Sequence, residues 1–240
     1  MTQSFTLGMK KQWKPDDSPV TETDLAINRM LITAVREHFP THAVLAEEES
    51  APVAGAEYVW VCDPIDGTIP FSHGSPTFVY SLALVHHGAS ILGVVYDPIL
   101  DRMVVAERGK GAYLNAQRLK ASTADSLKNT PVGVGWGKNS PYALSGVSNA
   151  LTNQGAYPMN FGSITYMGML VAIGEFTATI FGGRRSHDTA ALKIIVEEAG
   201  GKVTDLSGNE QRYDQNIRGH IASNGTLHKE LVDLVKKHLK

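Results

Sequence analysis

Alternating apolar and polar positions in the first half of the chain predict a β-sheet that follows one helix. For the helix, Thr21 and Asp24 resemble a capping box, and Pro40 provides the stop. The predicted apolar face of this helix consists of Ile27, Met30, Leu31, Ala34, Val35 and His38. The apolar runs that follow predict strands at residues 43–46, 58–62, 78–86, 91–96, 102–106 and 112–114. Because the last four lie in close succession between turn residues, we expect an antiparallel sheet there.

The second half of the chain combines helical and strand patterns. Strands are predicted at residues 131–136, 177–181, around Val203 and at 219–222, and helices at residues 163–173, 189–199 and 227–238. Residues 121–160 are rich in Ser, Asn, Gly and Pro, and predict little regular structure apart from the strand at 131–136. No repeat or linker divides the chain. We therefore expect residues 1–240 to form a single unit, with an N-terminal part of residues 1–120 and a C-terminal part of residues 121–240.

Composition excludes several classes of protein. With 240 residues, 42% of them hydrophobic and 19% charged, the chain can bury a sizeable core. A formal net charge of -2 gives no general attraction to nucleic acid or to anionic lipid, so we expect neither partner. Cys62 is the only cysteine, which rules out an internal disulfide and suits a reducing compartment. Neither a signal-peptide pattern nor a membrane-spanning apolar run is present, so we expect a cytoplasmic protein.

Acidic residues gather at three places that border predicted strands or helices. They are Glu47, Glu48 and Glu49 after one strand, Asp63 and Asp66 after the next, and Asp188 before a helix. Buried carboxylates are costly unless a positive group meets them, and no run of Lys or Arg lies beside Asp63 and Asp66. A divalent cation is the natural partner, and an all-oxygen ligand set favours Mg²⁺, with Mn²⁺ as an alternative, over Zn²⁺. A capped turn with surface carboxylates is the competing interpretation.

The spacing between Asp63 and Asp66 has a physical meaning. Pro64 presets a turn that brings both carboxylates to one place, and the bend exposes the carbonyl of Ile65 as a further oxygen ligand. Gly67 allows the backbone to approach a ligand closely, and the amides of Gly67 and Thr68 are free to face an anion. A calcium-binding EF-hand is excluded because Ile65 and Gly67 occupy positions that must be ligands.

Four segments carry a resemblance to a known family. Asp63-Pro64-Ile65-Asp66-Gly67-Thr68 resembles the DPIDGT signature of the inositol monophosphatase superfamily of magnesium-dependent, lithium-sensitive phosphatases. Residues 18–24 resemble its SPVTxxD segment, and residues 46–48 its GEE segment. Residues 187–191 and 195–201 resemble its WDxAA and IVxEAGG segments. Because these motifs occur in the order and approximate spacing of the family, the resemblance is specific.

The resemblance implies a fold and an assembly. The expected fold is α/β (α+β), a layered αβαβα sandwich of the inositol monophosphatase and fructose-1,6-bisphosphatase type, with the site between two sheets. A homodimer is implied as well. The segment before residue 18 is short for the family, so we expect a usual N-terminal helix to be reduced or missing.

The resemblance also implies roles for individual residues. Glu47, Asp63 and the carbonyl of Ile65 would hold the first metal ion, and Asp63, Asp66 and Asp188 the second. Glu48 would orient a metal-bound water, and Asp24 and Thr68 would form the hydrogen-bonded pair that activates the attacking water. The amides of Gly67 and Thr68 would bind a phosphate oxygen, with Asp66 and Ser163 also on the substrate side. The preceding strand favours Glu47 over Glu49 as the ligand.

Departures from the family pattern limit the prediction of the substrate. Pro70 replaces the usual Asn, and His187 replaces the usual Trp before the metal-binding aspartate. Phe181 lies where inositol-specific members carry a substrate-binding Glu. Arg184 and Arg185, in the same loop, are candidates for binding a second anionic group, because guanidinium pairs well with phosphate oxygens. A solvated loop face is the alternative for both arginines.

We therefore expect a Mg²⁺-dependent phosphomonoesterase that hydrolyses a small phosphorylated metabolite by two- or three-metal activation of water. Inositol monophosphate is the default substrate, and fructose 1,6-bisphosphate, histidinol phosphate and 3′-phosphonucleotides are alternatives. A different class also stays open, namely a non-catalytic regulatory or binding protein that keeps the same fold.

Overall fold

The structure is a computed structural model that describes residues 1–6, 8–138 and 140–239. The helices are α1 (Glu22–His38), α2 (Thr68–Ser72), α3 (Ser145–Asn153), α4 (Ile164–Ile173), α5 (Ala190–Glu198) and α6 (His228–His238), with 3-10 helices at Thr2–Ser4 and Ser186–Asp188. The first nine strands are β1 (Gln12–Trp13), β2 (Pro19–Val20), β3 (Ala43–Ala46), β4 (Tyr58–Asp66), β5 (Val79–His86), β6 (Ala89–Asp97), β7 (Arg102–Glu107), β8 (Gly111–Leu114) and β9 (Gln117–Arg118). The last five are β10 (Pro131–Gly135), β11 (Tyr157–Met159), β12 (Ala178–Phe181), β13 (Lys202–Thr204) and β14 (His220–Ser223).

The first half of the chain forms a seven-stranded sheet in the order β3-β4-β5-β6-β7-β8-β9. All neighbours from β4 to β9 are antiparallel, which confirms the prediction made for β5 to β8, and β3 runs parallel to β4. Strand β4 is longer than predicted and continues through the acidic motif to Asp66. Its pairing with β5 shifts register between Asp63 and Asp66, so the motif bends the strand without ending it.

The second half forms a five-stranded sheet in the order β11-β10-β12-β14-β13. Strand β10 is parallel to both β11 and β12, whereas β14 is antiparallel to β12 and β13. The sequence patterns predicted the position of four of these strands but not β11. Helix α3 was not predicted either, because its Ser, Asn, Thr and Gly residues are weak helix formers and only Val147, Ala150 and Leu151 are buried.

The helices form three layers around the two sheets. Helix α1 covers the outer face of the seven-stranded sheet, where Ile32 and Val35 pack in one cluster with Val44 and Cys62. Helices α4 and α5 lie between the sheets, in a core that joins residues of β5 to β8 with residues of β13 and β14. Helices α3 and α6 cover the outer face of the five-stranded sheet. The predicted αβαβα layering is confirmed.

The buried face of α1 differs from the predicted apolar face. Asp24, Asn28, Ile32 and Val35 are buried, whereas Met30 is 72% exposed. The periodicity misplaced this face because two of its buried positions are polar. The Asp24 carboxylate accepts a hydrogen bond from the Thr21 amide, and the Asn28 side-chain amide donates to the Glu49 carbonyl oxygen. These hydrogen bonds reduce the free-energy cost of burying the two polar side chains. Within the described residues, no helix is both long and apolar enough to cross a lipid bilayer.

Candidate active site

The end of β4 holds two buried carboxylates in a bent backbone. The Ile65 amide donates to Asp63 Oδ1 at 3.0 Å, which fixes the first carboxylate within the bend. Gly67 then adopts a φ of 96°, in the left-handed region that favours glycine. A Cβ at this position would lie 2.8 Å from the Thr77 carbonyl oxygen and 3.0 Å from Ser163 Cβ. The turn therefore needs glycine for both conformation and space.

The second carboxylate is held by the start of α4. Ser163 caps this helix through the Tyr166 amide, and its hydroxyl also donates to Asp66 Oδ2 at 2.8 Å. The Thr165 amide donates to the same oxygen. The Thr165 hydroxyl donates to the Asp188 carbonyl oxygen at 2.9 Å, so the start of α4 connects the end of β4 to the segment before α5.

Asp188 and Glu47 complete the acidic cluster from opposite sides. Asp188 ends the 3-10 helix Ser186–Asp188, which contacts β4. Glu47 follows β3, and its amide donates to the Cys62 carbonyl oxygen on β4 at 3.2 Å. Glu47, Asp63 and His187 each offer a ligand atom within 4.8 Å of the other two. Glu49 points elsewhere: it is exposed and lies 4.0 Å from Arg29.

A lysine that the sequence interpretation did not consider meets two of the glutamates. Lys14 Nζ donates to Glu47 Oε1 at 2.8 Å and to Glu48 Oε1 at 2.9 Å. Burial works against the charge of Lys14, but the two carboxylates outweigh that effect and raise its pKa. No run of Lys or Arg lies beside Asp63 and Asp66 in the sequence, but the fold brings this lysine to the Glu47 edge of the acidic cluster. The signal available in the sequence was a lysine four residues before the Ser18-Pro19 motif.

Asp24 and Thr68 do not form the hydrogen bond that the family resemblance implies. Asp24 Oδ2 accepts bonds from the Thr21 amide and hydroxyl at 2.9 and 2.5 Å, as the capping box requires. Asp24 Oδ1 is buried and has no partner among the described residues. The Thr68 hydroxyl, which carries a single proton, donates to the Ile65 carbonyl oxygen at 3.1 Å. Both side chains nevertheless belong to elements that border the cluster.

Burial dominates the electrostatics of this cluster. Desolvation, reinforced by neighbouring carboxylates, raises the pKa of Asp63 and of Asp188. Desolvation also raises the pKa of Asp66 to about 6, against the hydrogen bonds from Ser163 and Thr165. The pKa of Asp24 and of Glu48 is raised mainly by burial too. A nearby positive charge would favour the ionised form of these acids. Lys14 provides such a charge only beside Glu47 and Glu48.

The predicted substrate-binding arginines lie at the rim and not in the cluster. Arg184 and Arg185 are both exposed, and Arg185 forms an ion pair with Asp16 at 3.2 Å. Arg185 does line a cavity of about 300 Å³ beside His187. The other polar groups of this cavity are Ser186, Asp214, Gln215 and Asn216. The sequence interpretation missed this segment, because residues 214–216 lie far from every motif in the chain.

Comparison with known proteins identifies the family. Residues 3–240 match the sequence profile of the inositol monophosphatase family. The chain belongs to the inositol monophosphatase family. Among its relatives, Nus factor SuhB of Pseudomonas aeruginosa is 34% identical over 92% of this chain and 83% of its own length.

Two solved inositol monophosphatase (IMPase) structures share the fold. The IMPase of Thermotoga maritima is 32% identical, with a TM-score of 0.86 over 98% of this chain and 90% of its own. An IMPase/NADP phosphatase complexed with Mg²⁺ and phosphate is 25% identical, with a TM-score of 0.83 over 95% of this chain and 86% of its own. The expected fold of the inositol monophosphatase type is confirmed.

Proposed function

We propose that this member of the inositol monophosphatase family is a divalent-cation-dependent phosphomonoesterase that acts on a small phosphorylated metabolite. The observation that supports the proposal is the meeting of Asp63, Asp66 and Asp188 with Glu47 beside the left-handed turn at Gly67. Four acids from three separate elements destabilise the fold when they are brought together. Such groups of acids with raised pKa values are typical of functional sites. Membership of the family and the similarity to a phosphatase complexed with Mg²⁺ and phosphate support the same conclusion.

The residues present fit a divalent cation. Their carboxylates repel each other, and Asp24 Oδ1 is a buried acceptor with no partner among the described residues. In the proposed arrangement, Glu47, Asp63 and the Ile65 carbonyl would hold one cation, and Asp63, Asp66 and Asp188 a second. Mg²⁺ is the default cation, with Mn²⁺ as an alternative. Such cations, when bound, supply a water of lowered pKa and neutralise the charge that develops on phosphoryl oxygens.

The chain's own residues would orient the reacting groups. The Gly67 and Thr68 amides stand where the backbone turns away from β4, and we assign them to a phosphate oxygen. We assign Asp24 and Thr68 to the attacking water, which requires the Thr68 hydroxyl to rotate from the Ile65 carbonyl toward Asp24. Glu48, half-buried and paired with Lys14, would accept a hydrogen bond from a second water. The hydrolysis needs no covalent intermediate with the protein.

Substrate choice would depend on the loop before Asp188. Inositol monophosphate is the default substrate of the proposal, and Phe181 weakens it because a phenyl ring offers no hydrogen bond to a polyol. Arg185 at the cavity beside His187 favours a substrate with a second anionic group, such as fructose 1,6-bisphosphate or a 3′-phosphonucleotide. Histidinol phosphate, with a cationic amine, would have to use Asp214 of the same cavity.

Phosphate release from a panel of these monoesters, with and without Mg²⁺, tests the proposal. Wild-type protein should turn over at least one substrate only when Mg²⁺ or Mn²⁺ is added, and Li⁺ should inhibit it. Asp63→Asn should abolish turnover, whereas Asp125→Asn, a change at an exposed aspartate outside the site, should leave it intact. Full activity of the Asp63→Asn variant would disprove the proposal.

The same panel tests the role assigned to the arginine loop. Arg185→Gln should raise KM for bisphosphorylated substrates by about 10-fold or more, since it removes one charged contact to phosphate. Its effect on a simple monophosphate such as inositol monophosphate should be small. Equal effects on both kinds of substrate would mean that Arg185 belongs to a solvated loop face, as the alternative interpretation holds.

A regulatory protein on the same fold is the second candidate, and the similarity to Nus factor SuhB of Pseudomonas aeruginosa favours it. In this case wild-type protein would hydrolyse no monoester of the panel, with or without Mg²⁺, and Asp63→Asn would cause no further change in phosphate release. We also propose a homodimer, which the molar mass measured by light scattering would test. A mass of about 26 kDa would correspond to the 25.9 kDa monomer and contradict it.

A further inference from the structure

His187 is a buried imidazole that lies close to three acids. It lies in the 3-10 helix Ser186–Asp188 and is 6% exposed. Its ring offers a nitrogen within 4.8 Å of a carboxylate oxygen of Glu47 and of Asp63. Its Nε2 also lies 3.7 Å from Asp188 Oδ1, too far for a hydrogen bond. No hydrogen bond joins the ring to another described residue, and the ring lines the cavity of about 300 Å³ that Arg185 also borders.

The residue type at this position changes the chemistry that the cluster offers. The family motif resembled by residues 187–191 carries Trp here, whose indole has a donor N–H but no lone pair for a metal. An imidazole supplies such a lone pair, and it does so next to two of the carboxylates assigned to the first cation. The ligand set around Glu47 and Asp63 is therefore a mixture of oxygen and nitrogen, and the premise of an all-oxygen site no longer holds.

A mixed ligand set selects a different class of metal. Mg²⁺ prefers oxygen ligands and binds imidazole poorly, whereas Zn²⁺, Fe²⁺ and Co²⁺ accept imidazole nitrogen together with carboxylate oxygen. Such ions are commonly bound in proteins by histidine and carboxylate side chains together. Asp66 is held instead by the Ser163 hydroxyl and the Thr165 amide, neither of which is an imidazole ligand.

We propose that His187 is a nitrogen ligand which, together with Glu47 and Asp63, makes the first cation site selective for a divalent transition metal over Mg²⁺. This inference rests on the proposed function for the presence of a cation site, and it changes the identity of the preferred ion. The second site, at Asp66 and Asp188, keeps the preference for Mg²⁺ or Mn²⁺.

Co²⁺ binding, measured by visible absorption on the metal-free full-length chain, tests the inference without relying on activity. Wild-type protein should bind Co²⁺ in the presence of excess Mg²⁺ and show the absorption bands of a nitrogen-containing coordination sphere. His187→Gln should weaken Co²⁺ binding about 10- to 100-fold, the loss typical of removing a residue that supports a metal site, and it should alter these bands. Binding of Mg²⁺ should change little. Unchanged Co²⁺ affinity and spectrum in His187→Gln would overturn the inference.

Two controls keep the experiment decisive. Glu57, His86 and His87 form a second group of ligand atoms within 4.8 Å of one another at the β5–β6 hairpin, so His86→Ala measures what that surface group contributes. Co²⁺ bands that vanish in His86→Ala and persist in His187→Gln would likewise overturn the inference. If His187→Gln does not fold, His187→Trp, which restores the residue type of the family motif, takes its place with the same expected loss of Co²⁺ affinity.

The two proposals can fail separately. Mg²⁺-dependent phosphate release with no effect of His187 on metal choice would contradict the inference and leave the phosphatase proposal intact. Co²⁺ bound through His187 in a protein that hydrolyses none of the tested monoesters would contradict the phosphatase proposal and leave the metal ligand in place.

Discussion

Two groups of buried or half-buried titratable side chains lie on different elements of the fold and differ in how the cost of burial is met. The carboxylates of Asp63, Asp66 and Asp188 gather where β4 meets the starts of α4 and α5. His220 and His228 lie at the five-stranded sheet and the helix that covers it. In both places desolvation opposes charge, which raises the pKa of the acids and lowers that of the histidines.

The difference lies in what could relieve the cost. The carboxylates repel one another, so binding of a cation among them would stabilise the fold. His228 is satisfied internally, because its Nδ1 lies 2.8 Å from the Ser223 hydroxyl and its Nε2 lies 2.9 Å from the Thr204 hydroxyl. His220 is 0% exposed, and neither of its ring nitrogens has a partner among the described residues. The comparison teaches that the cost of burying titratable groups marks a candidate binding site where like charges gather and an opposite charge would relieve that cost.

The largest expected effect is that of Asp63→Asn, which should lower activity without lowering the stability of the fold. Asp63→Asn should lower kcat/KM at least about 1,000-fold, or about 4 kcal/mol of transition-state stabilisation. In metal-free buffer the same variant should be as stable as wild type or more stable, since one of several repelling charges is gone. Chemical denaturation beside steady-state kinetics measures both quantities. If Asp63→Asn lost activity because it unfolds, the prediction that the carboxylate serves activity and not stability would be wrong.

Local patterns in the sequence predicted the elements that carry the carboxylates. The capping box at Thr21, the helix that Ser163 caps and the bend at Gly67 each depend on residues within one turn or one loop. The layered fold followed from the family resemblance, and the structure bears it out. The acidic positions could be named in advance because the motif places them at the end of β4 and before α5.

Long-range contacts explain what the sequence could not predict. Lys14 reaches Glu47 across 33 positions of the chain, and no local pattern announces the pair. His187 was noticed only as a departure from a motif, and its closeness to Glu47 and Asp63 depends on how three elements meet. Helix α3 has weak intrinsic propensity and derives its stability from packing of Val147 and Leu151 in the cluster shared with α6.

The second prediction concerns the stabilisation of the fold by a cation that reduces the repulsion between the carboxylates. Addition of a divalent cation at 100 times its Kd should stabilise the wild-type fold by about 2.7 kcal/mol. Asp63→Asn should lose most of this effect, whereas His220→Leu should keep all of it, since His220 has no part in the cation site. Thermal unfolding with Mg²⁺ and with Co²⁺ measures the difference. Equal stabilisation of Asp63→Asn and wild type would place the cation elsewhere.

The third prediction uses the pH dependence of His220. Its pKa is lowered to about 3 by burial, against an ordinary 6.5, so the native state holds fewer protons than the unfolded chain between these values. Stability from this group is therefore fully present above pH 6.5 and declines as pH falls. From pH 7.5 to pH 5.5 wild type should lose about 1.4 kcal/mol relative to His220→Leu, measured by urea denaturation of both proteins. Parallel pH profiles would show that the imidazole becomes protonated without unfolding.

The last prediction compares the two histidines directly at neutral pH. His220→Leu should stabilise the protein by about 1 kcal/mol, because it replaces a buried ring whose nitrogens lack partners with an apolar side chain of similar size. His228→Leu should destabilise it by about 1–3 kcal/mol, because the Thr204 and Ser223 hydroxyls each lose a partner. Urea denaturation at pH 7.5 measures both. If the two substitutions changed stability in the same direction, hydrogen-bond satisfaction would not be what distinguishes these two histidines.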